Sequence, residues 1–304
     1  MVRTLLVGHA RVSWKEWLRQ NRNEQPFLCL DPAEPAQAPP GRLCLTVGER
    51  VHAWRFYGSL DIQRAPHILL AALVKLASAS PDPPIVQVTH RSTPLLRQVL
   101  QAICEVFHPE RIVIAEGTPV DQDGFPAGPE NVQLPSAPPP LVVSAQQKAQ
   151  WIKLLDQTVP HTLLLDRVTL EGTRLGSGKA IDANELHRLG VEEVLHVETS
   201  GATALVVSLS DLDERKLARI ANHFEVQRSV VVAPDSFCGL LCSFARQDGE
   251  DFGMGIVERI DFASREIHVR NTAEPGSVVR LLRLGALRLS GTGVELGEPK
   301  PWQV

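Results

Sequence analysis

Thr4-Leu-Leu-Val-Gly8-His-Ala-Arg-Val-Ser13-Trp14-Lys15-Glu16 is the stretch on which the fold of this chain turns. Residues 4–7 form a short apolar run that ends on a glycine and passes into helical spacing over residues 13–20. A run of that length bounded by turn residues reads as a buried strand. A glycine between such a strand and a helix is where an α/β nucleotide-binding domain cradles phosphate. Working outward, residues 27–30, 43–46, 85–88 and 112–115 are further apolar runs of strand length. Between them, residues 66–77 and 93–107 carry apolar side chains at three- and four-residue steps. In the second of these, Leu95, Leu96, Val99, Leu100, Ile103 and Val106 make one face. Strands alternating with helices predict a parallel sheet with helices on both faces.

The chain has 304 residues, 43% of them hydrophobic and 22% charged, enough for one large or two ordinary domains. A formal net charge of −4 excludes a protein that coats nucleic acid through bulk charge. A local basic groove stays open, because arginine outnumbers lysine 24 to 7 and is the better phosphate fork. No apolar run approaches the roughly 20 residues that span a bilayer, so no membrane partner is expected. Residues 4–7 are too short for the core of a signal peptide. The five cysteines, at 29, 44, 104, 238 and 242, are scattered and include no C-x-x-C pair. A disulfide framework is therefore not expected, and the expectation is a soluble cytoplasmic protein.

Residues 117–141 hold seven prolines in 25 positions, which predicts a loop or linker without helix or ladder. A polar helix is expected over 144–157. Beyond Pro160 the texture becomes strand-like, over 161–168, 204–209, 229–232, 240–244, 255–262, 266–270 and 278–289. One helix, 211–223, interrupts these runs, with Asp211 as its expected cap. The expected organisation is thus an α/β domain over 1–158 and a β-rich domain over 159–304. Cys238 and Cys242 fall on one face of an extended strand and read as small buried side chains rather than metal ligands. The arginines at 259, 265, 270, 280, 283 and 288 read as a solvated face rather than a phosphate-tracking stripe.

The phosphate-loop motif is G-x-x-x-x-G-K-[ST]. Gly8 fits it, but Ser13 stands at the second glycine, Trp14 at the lysine and Lys15 at the magnesium-binding hydroxyl. Displacing the lysine by one residue turns it about 100° around a helix, and Glu16 beside it repels phosphate. From spacing alone the segment reads as an ordinary strand–helix turn; Gly8, Ser13 and Lys15 are the candidates if a phosphate is held. Trp14 and Trp17 either stack on bases or pack inward, and their helical spacing favours packing. Downstream, Gly172-Thr-Arg-Leu-Gly176-Ser-Gly178-Lys179-Ala180 has the wrong glycine spacing and no hydroxyl after its lysine, so it reads as a glycine-rich loop.

Phe27-Leu-Cys-Leu-Asp31-Pro-Ala-Glu34-Pro-Ala-Gln-Ala-Pro39-Pro40-Gly41 resembles the D-x-D-P-G-Q-P…P-P-G segment of the polynucleotide (RNA) 5′-hydroxyl kinases. These are P-loop proteins of tRNA splicing, mRNA 3′-end cleavage and pre-rRNA processing. Three further stretches resemble that family in the same order. Phe56-Tyr57-Gly58-Ser59-Leu-Asp61 is similar to F-x-G-D-T-S-P, and Ile85-Val-Gln-Val-Thr89-His90 to the strand ending in N-T-x-G-W. Gly253-Met-Gly255-Ile-Val-Glu-Arg-Ile-Asp261-Phe262 resembles the G-x-G-I-V-x-x-I-D-F signature of the family's C-terminal β domain.

The resemblance implies a P-loop NTPase-like parallel sheet domain with helices on both faces, joined to a C-terminal β-rich domain. It also implies ATP and magnesium as cofactors and 5′ ends of RNA or DNA as partners; a protein partner enters only with the third reading below. The departures fall on the catalytic parts. Cys29 replaces the first acid, Ala33 the glycine and Glu34 the glutamine; Asp31 remains, as a magnesium ligand with Glu34, as the general base on a 5′-hydroxyl, or as a mere turn cap. Thr89 is kept, but Val88, Arg91 and Ser92 replace the asparagine, glycine and tryptophan. Thr89, His90 and Arg91 end a strand, where α/β ligands bind, and are the nucleic-acid candidates there. The family's lid helix carries paired arginines; the corresponding helix here offers Lys148 and Lys153. Three functional readings follow. Losses at four separate elements favour a degenerate member that binds nucleic acid with weak or no phosphoryl transfer. The others are an active kinase working through Lys15 and Asp31, and a structural partner-binding protein without ligand.

Overall fold

The computed structural model describes the chain except residues 35–38, 122–124, 126–127 and 299–304, and the side chains of 183, 184 and 187. Parts of the Asp31–Gly41 stretch and of the proline-rich stretch thus lie outside the described residues. The chain divides into two compact units, Met1–Trp151 and Ile152–Val304. The division falls inside a helix, seven residues earlier than the sequence suggested.

The first unit runs β1 (Thr4–Gly8), α1 (Lys15–Asn21), β2 (Phe27–Cys29), β3 (Arg42–Val47), β4 (Arg50–Phe56), α2 (Pro66–Ser78), β5 (Ile85–Thr89), α3 (Pro94–Phe107), β6 (Arg111–Ala115) and β7 (Glu130–Val132). Its sheet has the order β4-β3-β2-β5-β1-β6-β7. The five strands β2, β5, β1, β6 and β7 are parallel. The sheet is not parallel throughout, however, because β3 and β4 form an antiparallel hairpin on its edge. The alternating pattern of Arg50–Phe56 is weak because an edge strand buries little; only Phe56 is buried. Leu5 and Val7 point to one core with α2 and α3, which contribute Leu69, Leu73, Leu96 and Ile103. Leu6 points to the other, under α1, with Trp14, Trp17, Phe27, Ile85 and Val113. Strict alternation of the period-2 strand between two covered faces is why residues 4–7 are apolar without a polar break. Thr93 caps α3, its hydroxyl accepting from the Leu96 amide at 3.3 Å.

Prolines 135 and 138–140 do not keep the proline-rich stretch free of structure. β7 lies within it and pairs with β6, and Val12 forms an isolated antiparallel bridge with Ser136. The next helix, α4 (Pro140–Asp156), begins four residues earlier than expected. Pro140 occupies its first position, where a missing N–H costs nothing.

The second unit continues β8 (Val159–Leu164), β9 (Thr169–Glu171), β10 (Lys179–Ala180), α5 (Ala183–Arg188), β11 (Val194–Ser200), β12 (Thr203–Ser208), α6 (Glu214–His223) and β13 (Arg228–Val232). It closes with β14 (Leu240–Ala245), β15 (Asp251–Asp261), β16 (Glu266–Asn271), β17 (Leu281–Leu289) and β18 (Glu295–Gly297). A four-stranded sheet, β10-β11-β12-β13, stacks through Leu205, Val207, Val230 and Val232 on a seven-stranded sheet containing β14–β17. Its other face is covered by α5 and α6 through Leu186 and Ile220.

Several sequence expectations are corrected here. The run 161–168 is broken by a single 3-10 turn, Leu165–Arg167, between β8 and β9. Asp213, not Asp211, caps α6, its carboxylate accepting from the Lys216 amide at 2.8 Å. Arg283 does not belong to a solvated face. It is buried on β17, where it bonds Asp251 at 2.5 Å and Glu171 at 2.8 Å. The Gly172–Ala180 stretch is a loop closed by a carboxylate, since the Gly176 amide donates to Glu198 at 2.7 Å. No helix is long and apolar enough to cross a membrane among the described residues.

Candidate functional site

The carboxyl ends of β1, β2 and β5 bring Gly8, Asp31 and Thr89 to one edge of the sheet, with β1–β5 and β2–β5 paired in register. In open parallel sheets this edge is where ligands bind. The His90 amide donates to the Gly8 carbonyl at 2.7 Å, extending the ladder one residue past the strands. The Thr89 hydroxyl donates to Asp31 Oδ2 in a very short hydrogen bond, and Asp31 Oδ1 accepts from the Ala33 amide at 2.9 Å. Burial pushes the Asp31 carboxyl above its ordinary range, opposed by the Thr89 and Ala33 bonds and by the Arg91 charge. Gly41 fastens the loop, donating its amide to Pro32 and accepting at its carbonyl from the amides of Tyr57 and Gly58. The two segments that resemble the family around Asp31 and Tyr57 are thereby one connected structure. Gln147 of α4 also reaches this loop, donating to the Ala33 carbonyl at 2.9 Å.

The phosphate-loop position has a different construction. A phosphate cradle needs consecutive backbone N–H groups that point at the ligand. Here the Arg11 amide donates to His9 Nδ1 at 3.2 Å, the Val12 amide to the His9 carbonyl at 3.2 Å, and the Ser13 amide to the Pro135 carbonyl at 3.0 Å. All three are already used. Ala137 returns a bond to the Arg11 carbonyl at 2.8 Å, so the loop is stitched to the proline-rich segment. Trp14 sits over Gly8: a Cβ added there would lie 2.7 Å from the indole Nε1. The Trp14 side chain is only 5% exposed and meets Trp17 edge to face at 5.8 Å. The inward-packing alternative for both tryptophans is the one the structure adopts.

Lys15 is exposed in the first turn of α1. Ser13 is half-buried, its amide committed to Pro135. As placed, these groups do not fit a triphosphate, because the amides of residues 11–13 are spent and the indole lies against Gly8. Magnesium is held mainly through one or two carboxylates plus the substrate phosphates. Asp31 is bonded to Thr89 and Ala33 and Glu34 is exposed, and among the described residues no group of three metal-ligating side chains exists. His90 is 4% exposed, its imidazole shifted toward the neutral form by burial while it bonds the Pro119 carbonyl. It braces the strand end rather than offering a surface contact. Arg91 is exposed at the same edge. Lys148 and Lys153 are both exposed on α4. Five residues apart, they project about 140° from one another and form no paired clamp. Sequence reading left open whether Trp14 fills the loop. The Arg11 and Val12 amides turn back on His9, whereas the partner of the Ser13 amide was invisible to the sequence, since Pro135 lies some 120 residues away.

No family model matches the chain. Over 156 residues, half of its length, it is 24% identical to a polyribonucleotide 5′-hydroxyl-kinase of Pyrococcus furiosus and equally to one of Pyrococcus abyssi. The chain is a distant relative of the polynucleotide 5′-hydroxyl kinases. The matched stretch spans 42% of each archaeal relative, less than half their length. Over 94% of its length the chain also superposes on two structures of Clp1p with Pcf11p, at TM-scores of 0.55 and 0.53, covering 75% and 74% of those chains. At 12% and 11% identity this likeness shows the fold, a P-loop-type sheet domain followed by a β-rich part.

The Asp31 environment yields a prediction. A carboxyl whose folded pKa is raised binds its proton more tightly folded than unfolded, so stability falls as pH rises through that interval. The Asp31 carboxyl therefore costs stability at neutral pH relative to acid pH. Asp31→Asn is expected to exceed the parent at pH 7 by on the order of 1 kcal/mol, with Thr89 turning its hydroxyl to accept from the amide. The gap should close toward the ordinary carboxylate range, and urea midpoints at neutral and acid pH read it directly.

Proposed function

We propose that the chain is a nucleic-acid-binding member of the polynucleotide 5′-hydroxyl kinase family that does not carry out phosphoryl transfer. The observation that carries this reading is the closed phosphate loop, with the amides of Arg11, Val12 and Ser13 bonded within the protein and Trp14 on Gly8. Phosphoryl transfer depends on positioning and charge neutralisation of the phosphates; a loop that cannot receive them has no substitute nearby. One neighbour structure describes ATP loss in a glycine-to-arginine point mutant of Clp1p. A bulky side chain against Gly8 is proposed to act here in the same direction. What remains at the sheet edge is Asp31 bonded to Thr89, with exposed Arg91 to meet a phosphodiester backbone; Lys148, exposed on α4, is a further cation for it. A protein partner is the second reading, favoured by the neighbours' being complexes of Clp1p with Pcf11p.

The test is transfer of labelled γ-phosphate from ATP, with magnesium, to a 5′-hydroxyl oligonucleotide, alongside calorimetric titration with MgATP. No transfer and no MgATP binding at millimolar nucleotide is the expected result. Transfer that disappears in Lys15→Ala and Asp31→Ala would overturn the proposal and make the protein a kinase with an altered loop.

A further inference from the structure

The β3–β4 hairpin closes the sheet on the Asp31 side, and β4 has no further strand beyond it. Over residues 42–56 it carries Arg42, Arg50 and Arg55 against one acid, Glu49. Arg42 opens β3 at the same end of the sheet as Asp31, since Cys29 pairs with Cys44 and the neighbouring Gly41 donates to Pro32 at 2.8 Å. Cys44 in turn pairs with Trp54, which puts Arg42 and Trp54 on one face of the hairpin. The Arg42 guanidinium carbon lies 5.1 Å from the centre of the Trp54 ring. Its Nε is buried and has no hydrogen-bond partner among the described residues. No ion pair among the described residues includes Arg42. A buried donor left unmade costs about 1–3 kcal/mol, so this Nε is poised for an acceptor that the described residues do not supply. Guanidinium groups take phosphate oxygens in fork geometry, and a half-buried indole is a stacking surface for any base.

We propose that Arg42 and Trp54 form a subsite for single-stranded nucleic acid, the guanidinium bonding a phosphodiester oxygen and the indole stacking a base. The subsite borders the Asp31 loop and so extends the proposed nucleic-acid edge across β3 and β4; it rests on that reading. An acidic peptide added as a strand to β4 is the competing occupant. It would bond the outward backbone of β4 and would leave both the orphaned Nε and the ring unexplained.

The experiment is fluorescence anisotropy of a labelled 5′-hydroxyl oligoribonucleotide of about 12 nucleotides, titrated with the full chain over a salt series. Trp54→Leu is expected to weaken binding about tenfold and Trp54→Phe to keep it within about threefold. Arg42→Gln is expected to weaken it about tenfold and to lower the salt slope by about one. Should Trp54→Leu fail to fold, the Arg42→Gln slope and the phenylalanine variant decide alone. Parent binding with Arg42→Gln and Trp54→Leu unchanged would overturn the subsite and leave the nucleic-acid reading standing. No parent binding at about 50 mM salt would overturn both. Capture of a polyglutamate peptide in place of the oligonucleotide, lost in Arg42→Gln, would overturn the subsite in favour of an added strand.

Discussion

Trp14→Ala is expected to cost the first unit about 3–5 kcal/mol, the range for emptying a buried large aromatic site. The indole is 5% exposed and packs in the cluster of Leu6, Trp17, Phe27, Ile85 and Val113 beneath α1. Its removal leaves a void bounded by sheet on one side and by a helix of only seven residues on the other. So short a helix has little stability of its own and depends on that packing. Urea unfolding followed by circular dichroism measures the loss; Trp14→Phe should recover part of it. A cost below about 1 kcal/mol would show that the indole is not structural. The variant is not expected to gain MgATP binding, because the amides of residues 11–13 keep their partners. Gain of binding would place the whole block on the indole.

The second large effect is expected in the β-rich unit. Gly255→Ala would set its Cβ 1.8 Å from the Arg270 carbonyl oxygen and 2.7 Å from the Asn271 Cα. Both are backbone of β16, the strand that pairs Gly255 with Asn271, so no side chain can move aside. β15 and β16 would have to separate, and a loss of more than about 4 kcal/mol is expected, the range of exceptional single substitutions. At Gly253 an added Cβ would instead meet a side chain first, 2.2 Å from Asn271 Oδ1. Gly291 has nothing within 4 Å of an added Cβ, and Gly291→Ala is expected to change stability by less than about 0.5 kcal/mol. Thermal unfolding of the two variants side by side checks the contrast. Equal behaviour would mean that the β15–β16 approach is looser than these distances.

The same contrast explains what the family-like motifs mean here. In the G-x-G, Gly255 lies where two strands approach too closely for a Cβ, and Gly253 where a Cβ would meet the Asn271 side chain and Ala273, so both answer demands of the local packing. Gly41 is likewise a joint, at φ +81° with its amide and carbonyl both engaged. The resemblance is kept at these backbone joints and departs at positions 13, 14, 91 and 92, where the family pattern has glycine, lysine, glycine and tryptophan.

The sequence by itself determined the parallel centre of the first sheet. Residues 5–7, 85–86 and 112–115 are apolar on both faces, and only a strand covered on both sides needs that. It also determined α3, through the six apolar positions on one face and the Thr93–Pro94 start. Displacement of the lysine from the phosphate-loop pattern was equally plain in one dimension. The tertiary structure alone decided what occupies the loop. The Ser13 amide is answered by Pro135 and the Arg11 carbonyl by Ala137, and a bond across 120 residues leaves no local signature in either segment. It alone decided that a proline-rich stretch would supply the edge strand β7, which needs a partner and not a propensity. It also set Arg42 beside Trp54, twelve residues on, because cross-strand neighbours are fixed by register and not by spacing along the chain.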